Sequence, residues 1–343
     1  MSSRTRLLGC ILLLICGAIV PFAIYPILAM KVLCFALFAC AFNLLLGYTG
    51  LLSFGHAVFF GAAAYVSAYS IKVWGFPPEL GILTAVVAAA VLGLGFGLLA
   101  IRCSGIYFAM ITLALAQMMY FVFLQSPFTG GEDGLQGVQR GLLFGFIDLS
   151  NDVNLYYLVF AIFVFGFWLI HRVIQSPFGQ ILKAIRENES RVISLGYQAA
   201  RYKLLAFVLS AALAGLAGGT KAVVFQFATL SDAHWQTSGE VVLMTLLGGL
   251  GTVFGPLIGA AIVVTLQNAL ADKVGALLPV IMGVIFIVCV LLFRRGIAGE
   301  FAAFYQSRLA ARRAEAIRRK SLRASHKGGG SRGADGSARE ANP

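Results

Sequence analysis

A succession of long apolar runs is the feature that most constrains how this chain can fold. A helix needs about 20 apolar residues to cross a bilayer, and the runs lie at 7–29, 32–47, 57–74, 80–101, 105–125, 154–173, 204–225 and 275–293. Only 12% of the 343 residues are charged, whereas soluble domains have about 25%. The sequence therefore predicts an all-α, polytopic transmembrane helical bundle and excludes an ordinary soluble enzyme.

The stretch 240–270 is also apolar, but glycine and proline interrupt it. Gly248, Gly249, Gly251, Gly255 and Pro256 fall close together there, and both residue types weaken a helix interior. Two short helical pieces joined by a glycine turn satisfy the hydrogen-bonding groups of this backbone better than one uniform helix. With this glycine-broken pair, the bundle is expected to have about 8–10 spans or half-spans.

Cationic residues indicate the orientation, because lysine and arginine accumulate on the cytoplasmic side of a membrane. Two segments are basic: 174–203, and the tail 294–343, which has 12 Lys and Arg against 4 Asp and Glu. We expect 1–293 to be a transmembrane domain with a cytoplasmic loop at 174–203, and 294–343 to be a basic cytoplasmic tail, partly disordered. Because successive spans alternate in direction, 240–270 must then enter and leave the membrane on the outer side.

The N-terminal run, the cysteines and the basic tail each have a simple structural interpretation. The run 7–29 resembles a signal peptide but has no clear cleavage site, so we expect a retained first span. The six cysteines contain no CxxC pair, which favours small apolar packing residues over zinc ligands or disulfides. The basic tail is better explained by membrane orientation than by nucleic-acid binding.

Motifs for an internal energy source are missing from the sequence. There is no GxxxxGK[ST] phosphate loop, and no Asp or Glu lies in the middle of a predicted span. Carriers driven by ion gradients usually keep acidic residues inside the membrane. A channel, or a permease powered by a separate ATPase, remains. Neither HExxH nor GxSxG occurs, so we predict no catalytic residue, metal or cofactor.

The basic loop at 174–203 is predicted to form two short amphipathic helices with a charged elbow at 188–189. Gly196 suits a helix C-terminus. Such helices could insert into a groove on a partner protein or lie on the membrane surface, and the mixed charge favours a partner. The glycine-rich outer loop 126–153 is either a docking face for an outside partner or a flexible connector.

Three stretches of this sequence resemble the LivM-like permease subunits of branched-chain amino acid ABC importers. They are Asn43–His56 with Phe60–Ala62, Ser176–Gly196, and Gly248–Pro256 with Gly259–Ala260. The resemblance implies a bacterial inner-membrane subunit that pairs with a second homologous permease, two cytoplasmic ABC ATPases and an external solute-binding protein. A urea or amide permease of the same family, and a passive channel or facilitator for a small polar solute, remain alternatives.

The resemblance also implies that the basic loop couples the permease to the ATPases, as a degenerate EAA motif. Ser190, Arg191 and Val192 stand where that motif has Glu-Ala-Ala. The residues expected to couple are Ala184, Arg186, Glu187, Glu189, Arg191 and Gly196.

Glycine-rich and polar positions are the candidates for the substrate pathway, because broken helices expose backbone groups that can hold a polar solute. The candidates are Asn43, Tyr48, Thr49, Ser53, His56, Gly249 and Gly251. Plain helix packing through small residues is the alternative for each glycine. For His56, the alternative is a histidine at a loop end near the inner surface.

Overall fold

The computed structural model describes residues 17–18, 20–21, 25–143, 145–292 and 296, which are almost entirely helical. The helices are α1 Pro26–Thr49, α2 His56–Lys72, α3 Pro78–Ala100, α4 Ile106–Gln125, α5 Asp152–Gln175, α6 Pro177–Glu187, α7 Glu189–Ser194, α8 Ala199–Phe225, α9 Trp235–Gly248, α10 Gly255–Val274 and α11 Leu278–Leu292. Among the described residues, α1, α3, α4, α5 and α8 are long and apolar enough to cross a membrane. The prediction of a polytopic helical bundle is confirmed.

The first two predicted spans are wrong at their junction. Helix α1 runs without a break from Pro26 to Thr49 and includes Lys31, where the sequence suggested a loop. Proline is well suited to a first helical position because no N–H is needed there. A single lysine keeps its backbone hydrogen bonds and has good helix propensity, so it does not end the helix. Residues 7–16, 19 and 22–24, which together make up more than half of the predicted first span, lie outside the described residues, as does the predicted tail apart from Gly296.

Small residues allow α8 to approach α2 and α3 closely in the core. A Cβ atom added at Gly218 would lie 2.0 Å from the carbonyl oxygen of Phe60, and one added at Gly215 would lie 2.3 Å from Cβ of Ala89. This close approach of helix backbones through glycine and alanine is typical of packing inside membranes. The opposite face of α3 carries exposed Val87, Val91 and Leu98, as expected for a surface that faces lipid.

Two very short antiparallel sheets lie at one end of the bundle, which we call the β-strand end. β1 (Leu135–Gln136) pairs with β4 (Phe227–Ala228), and β2 (Leu142–Leu143) pairs with β3 (Ile147–Asp148). The pairing of β1 with β4 ties the long loop after α4 to the segment after α8. Both connections therefore lie at the same end, as expected if the predicted spans alternate in direction.

The broken stretch 240–270 is two helices, as predicted. Helix α9 ends at Gly248, and α10 begins at Gly255. The connecting turn has positive φ angles of 112° at Gly249 and 71° at Gly251, which glycine adopts without strain. The turn therefore depends on the glycines that identified it in the sequence.

The segment between α5 and α8 also forms the two predicted short helices, at what we call the α6 end of the bundle. The hydroxyl of Ser176 accepts the N–H of Gly179 at the start of α6, and the side chain of Asn188 accepts the N–H of Arg191 at the start of α7. Both are standard N-cap interactions. The elbow lies at Asn188, inside the predicted gap.

Candidate functional site

Arg186, near the end of α6, contacts two parts of the bundle. Its guanidinium donates a hydrogen bond to the backbone carbonyl of Gly47, in the last turn of α1. A Cβ added at Gly251 would lie 3.1 Å from Arg186 Nη1, and one added at Gly50 would lie 3.2 Å from Arg186 Cγ. The arginine side chain therefore passes between the end of α1 and the turn that joins α9 to α10.

Asn43 holds that same turn from the α1 side. Its Oδ1 accepts the N–H of Gly251 at 3.0 Å, and its Nδ2 donates to the carbonyl of Thr252 at 2.9 Å. Gly47 must be glycine here, since an added Cβ would lie 2.1 Å from Asn43 Oδ1 and 2.7 Å from the backbone nitrogen of Gly251. The amide group thus supplies hydrogen bonds that the broken backbone would otherwise lack.

We call Asn43, Gly47, Arg186, Gly251 and Thr252 the glycine junction. It joins three elements that are far apart in the sequence: α6, the end of α1 and the turn between α9 and α10. Each of these hydrogen bonds joins a side chain to a backbone group of the bundle, so a displacement of α6 would pull on the main chain of the bundle. The junction brings together one predicted coupling residue, Arg186, and two predicted pathway residues, Asn43 and Gly251.

The other predicted pathway residues near the end of α1 have ordinary local partners. Lys183 Nζ lies 5.6 Å from the ring centroid of Tyr48, within the range of a cation–π contact. The hydroxyl of Thr49 donates to the carbonyl of Leu45 in its own helix. Gly249 accepts the hydroxyl of Thr252 at 2.8 Å, which closes the turn.

His56 directly follows a loop, as the first residue of α2, but its side chain is buried in the core and not near the surface. Its Nε2 is 2.8 Å from the hydroxyl oxygen of Ser210, and that hydroxyl is 2.5 Å from the carbonyl of Ala41. Because the Ser210 hydroxyl must donate its only proton to this carbonyl, His56 donates from Nε2, so Nδ1 carries no proton if the ring is neutral. His56 is surrounded by the rings of Phe38, Phe42, Phe59 and Phe207.

Ser53 is also buried, and its hydroxyl accepts the N–H of Gly55 at 3.3 Å. The connecting segment 50–55 therefore leads from the end of α1 back into the core, where α2 begins at His56. Ser53 and His56 are therefore packed in the core and are not part of the glycine junction.

The remaining predicted coupling residues are on the outside of the α6–α7 segment. Ala184, Glu187 and Arg191 are exposed, and Glu189 forms a salt bridge of 2.5 Å with Lys203 of α8. Gly196 has a φ of 87° and ends the segment. Next to these residues, Ile193 and Leu195 are exposed by 56% and 70%. We call Ile193, Leu195 and the exposed Tyr197 the apolar ridge.

A buried ion pair between Lys221 and Asp232 was missed by the sequence analysis. Lys221 Nζ is 2.5 Å and 2.6 Å from the two carboxylate oxygens, and the side chains are only 8% and 9% exposed. Asp232 lies outside every predicted span, in the 3₁₀ turn Leu230–Ala233, yet its carboxylate is buried. The signal in the sequence was Lys221 itself, since an ionisable residue inside an apolar run indicates function by default.

Glu240 lies inside α9, which begins five residues earlier at Trp235. Among the described residues, no group of three or more His, Cys, Asp or Glu side chains could hold a metal ion. Cys34 and Cys40 are buried in α1 with free thiols, in keeping with a packing role.

The apolar spanning helices and the broken helix pair define a polytopic membrane domain. Residues 24–293 match the model of a family described as the permease component of branched-chain amino acid transport systems. This chain belongs to that family.

Similar proteins include the high-affinity branched-chain amino acid transport system permease protein LivM of Escherichia coli, 30% identical over 258 residues, and its Salmonella typhimurium counterpart, 29% identical over the same length. Each match covers 67% of this chain and 60% of the relative. The autoinducer 2 import system permease protein LsrC of Klebsiella pneumoniae is 32% identical over 119 residues, 33% of this chain and 34% of the relative. No solved structure gives a significant match.

Proposed function

We propose that this chain is the membrane-spanning subunit of an ABC importer that moves branched-chain amino acids, or a related small polar solute, into a bacterial cell. Two separate ATPases supply the energy, and a second homologous permease completes the pathway. The observation that carries the proposal is the contact of Arg186 with both Gly47 and the turn at Gly251. A passive channel has no need for such a connection between a peripheral helix and a broken helix.

In this proposal, the α6 end faces the cytoplasm. The segment 174–203 carries Lys183, Arg186, Arg191, Arg201 and Lys203, which is the charge bias of a cytoplasmic loop. The β-strand end then faces outward, where a solute-binding protein delivers the substrate. The tail 294–343 is cytoplasmic and basic, and we assign it no role in transport.

The apolar ridge is the part of the segment that docks on an ATPase. Its three residues project from a short helix and the turn that follows, and the charged Glu187 and Arg191 lie beside them. An amphipathic helix of this kind binds by inserting apolar anchors into a groove, and the flanking charges fix its orientation. Beneath the ridge, Ile185, Val192 and Ala199 form a small core that keeps the segment rigid.

Movement of the docked segment reaches the pathway through the glycine junction. ATP binding brings the two ATPases together and displaces α6, and Arg186 transmits this displacement to the end of α1 and to the turn at Gly251. Packed helices change between discrete arrangements and do not deform continuously. The junction therefore selects between two packings of α1 against α9 and α10, one for each direction of access.

Uptake measurements test this function. The chain would be co-expressed with its proposed partners in a bacterial strain without branched-chain amino acid importers, and uptake of ¹⁴C-leucine would be followed. We expect accumulation against a gradient that disappears when the ATPases carry an inactivating substitution. Equilibration of leucine or urea that continues without ATP hydrolysis would instead identify a passive facilitator.

A further inference from the structure

An apolar hairpin lies within the otherwise polar and glycine-rich loop that connects α4 to α5. We call residues 141–149 the apolar hairpin. It contains β2 and β3, which pair Leu142 with Asp148 and Leu143 with Ile147. Six of its nine residues are Leu, Ile or Phe, and Asp148 is its one charged residue. A segment of this length is too short to cross a bilayer, so its apolar side chains have some other use.

The apolar hairpin has one face toward the bundle and one face away from it. Leu143 and Leu149 are buried, and they hold the hairpin in place. Leu142 and Ile147 are exposed, and Phe146, in the turn between the two strands, is exposed by 92%. The outward face therefore presents three large apolar side chains that the described part of the chain leaves uncovered. Water is an unfavourable environment for such a surface.

The apolar hairpin lies between the β-strand ends of two spanning helices, α3 and α5. A Cβ added at Gly141 would lie 3.5 Å from Cδ of Pro78, the first residue of α3. Asn154 of α5 donates a hydrogen bond from Nδ2 to the carbonyl of Asp148 at 3.1 Å. Both helices are less than half buried. Exposed apolar residues lie in their first two turns: Leu80, Leu83, Val153 and Tyr157. The hairpin thus borders two helix surfaces that face lipid.

Aromatic side chains extend this apolar surface along the turn between α2 and α3. Phe76 lines the same cavity as Leu142 of the hairpin, and its ring centroid lies 5.5 Å from that of Trp74. Trp74 is itself exposed. Tryptophan combines an apolar ring with a polar N–H and is concentrated where a bilayer meets water. The residue types around the hairpin are therefore those of a membrane interface.

We propose that the apolar hairpin inserts its outward face, led by Phe146, into the head-group region of the bilayer. The occupant of this face is lipid, because the hairpin stands beside two lipid-facing helix ends and brings a single charged side chain to the contact. Complementary charges usually steer and orient a soluble protein partner. An aromatic ring at the interface removes its apolar surface from water while polar groups stay solvated.

This contact gives the loop after α4 a different role from a docking face or a flexible connector. The hairpin holds the ends of α3 and α5 at the membrane surface, and a solute-binding protein would dock on the rest of the β-strand end. The inference goes beyond the proposed function, since it does not depend on which solute is carried.

The fluorescence of a Phe146→Trp variant tests the contact. The substitution would be made in the full-length chain after the three native tryptophans, all exposed, are replaced with phenylalanine: Trp74, Trp168 and Trp235. The protein would be reconstituted in phosphatidylcholine vesicles, with or without lipid that carries bromine on the acyl chain near the head group. We expect emission at a shorter wavelength than that of tryptophan in water, and strong quenching by the brominated lipid.

Glu132→Trp in the same tryptophan-free background is the matched control. Glu132 is exposed in the same loop, but it lies outside the hairpin and beside a second acidic residue, Asp133. Its variant should emit at longer wavelength and be quenched more by aqueous iodide than by brominated lipid. If the triple replacement lowers the yield, both substitutions can be made in the wild-type chain, where the change in quenching relative to wild type gives the same comparison.

The outcomes decide the proposal in either direction. Emission at shorter wavelength, with stronger lipid quenching of Phe146→Trp than of Glu132→Trp, supports insertion of the hairpin. Equal quenching of the two variants overturns it, as does a Phe146→Trp variant that iodide quenches and brominated lipid does not. If the emission of such a water-exposed variant shifted on addition of the solute-binding protein, the hairpin would be a docking face and the proposal would be wrong.

Discussion

Asn43 and Gly251 are 208 positions apart, yet the side-chain oxygen of Asn43 accepts the backbone N–H of Gly251 at 3.0 Å. This hydrogen bond joins α1, one of the two most buried spanning helices among the described residues, to the turn between α9 and α10. Arg186 reaches the same place from the opposite side, through the carbonyl of Gly47. A single small region therefore connects the peripheral helices to the helices that line the proposed pathway.

Replacing Asn43 with alanine should destabilise the turn between α9 and α10. The backbone groups of Gly251 and Thr252 would lose their partners, and each buried group left unsatisfied is unfavourable by about 1–3 kcal/mol. Thermal unfolding of the purified protein in detergent should show a lower Tm. Gln125→Ala, at an exposed position at the end of α4, is the matched control, and an equal effect of the two substitutions would contradict a special role for Asn43.

Replacing Arg186 with alanine should uncouple ATP hydrolysis from uptake. The variant loses the charged hydrogen bond to Gly47, which is worth about 1.5–3 kcal/mol, and we expect leucine uptake to fall at least about tenfold while the complex still hydrolyses ATP. Arg201→Ala removes an exposed arginine from the first turn of α8 and should behave as wild type. Normal uptake by Arg186→Ala would remove the glycine junction from the coupling mechanism.

Adding a methyl group at Gly218 should prevent α8 from packing against α2. The new Cβ would lie 2.0 Å from the carbonyl oxygen of Phe60, and overpacking of this kind is unfavourable by about 1–3 kcal/mol or more. Gly95→Ala is the matched control, since no atom lies within 4 Å of its added Cβ. Size-exclusion chromatography after heating should show that folded Gly218→Ala protein is lost at a lower temperature than wild type, whereas Gly95→Ala is not. Comparable stability of both variants would contradict the packing described for α8.

Placing a charge on the apolar ridge should weaken the association with the ATPases. Leu195→Asp puts a carboxylate where a partner groove is expected to be apolar, and removal of one such anchor typically weakens binding by 2 kcal/mol or more, roughly 30-fold. Co-purification of the ATPases with the tagged permease measures this effect. Leu142→Asp, at a position exposed by 52% at the β-strand end, should retain the ATPases. Full co-purification with Leu195→Asp would exclude the ridge as the docking surface.

The bounds of the helices were largely predictable, because they depend on local properties of the chain. The run 105–125 became Ile106–Gln125, and the run 80–101 became Pro78–Ala100. The prediction failed at Lys31, which was taken to separate two spans but lies inside α1. Helix continuity depends on backbone hydrogen bonds and not on one polar side chain.

The candidate site was predictable only in part. Arg186 and Asn43 were identified by residue type and by resemblance, but nothing in the sequence indicated that both would reach the turn at Gly251. His56 was a candidate for the pathway, with a loop-end position near the surface as the alternative, and it lies among four phenylalanines because the segment after α1 leads back into the core. Lys221 was visible as a lone cation in an apolar run, but its partner Asp232 lies outside that run.

Apolar run lengths, glycine positions and cap residues alone dictated the number and limits of most helices, the break between α9 and α10 and the elbow at Asn188. Each of these depends on interactions within a few residues. Tertiary packing decided which helices meet, and with it the glycine junction, the environment of His56 and the buried ion pair of Lys221 and Asp232. Contacts such as that of Asn43 with Thr252 join residues 209 positions apart, and only the combined fit of all the helices can bring such residues together.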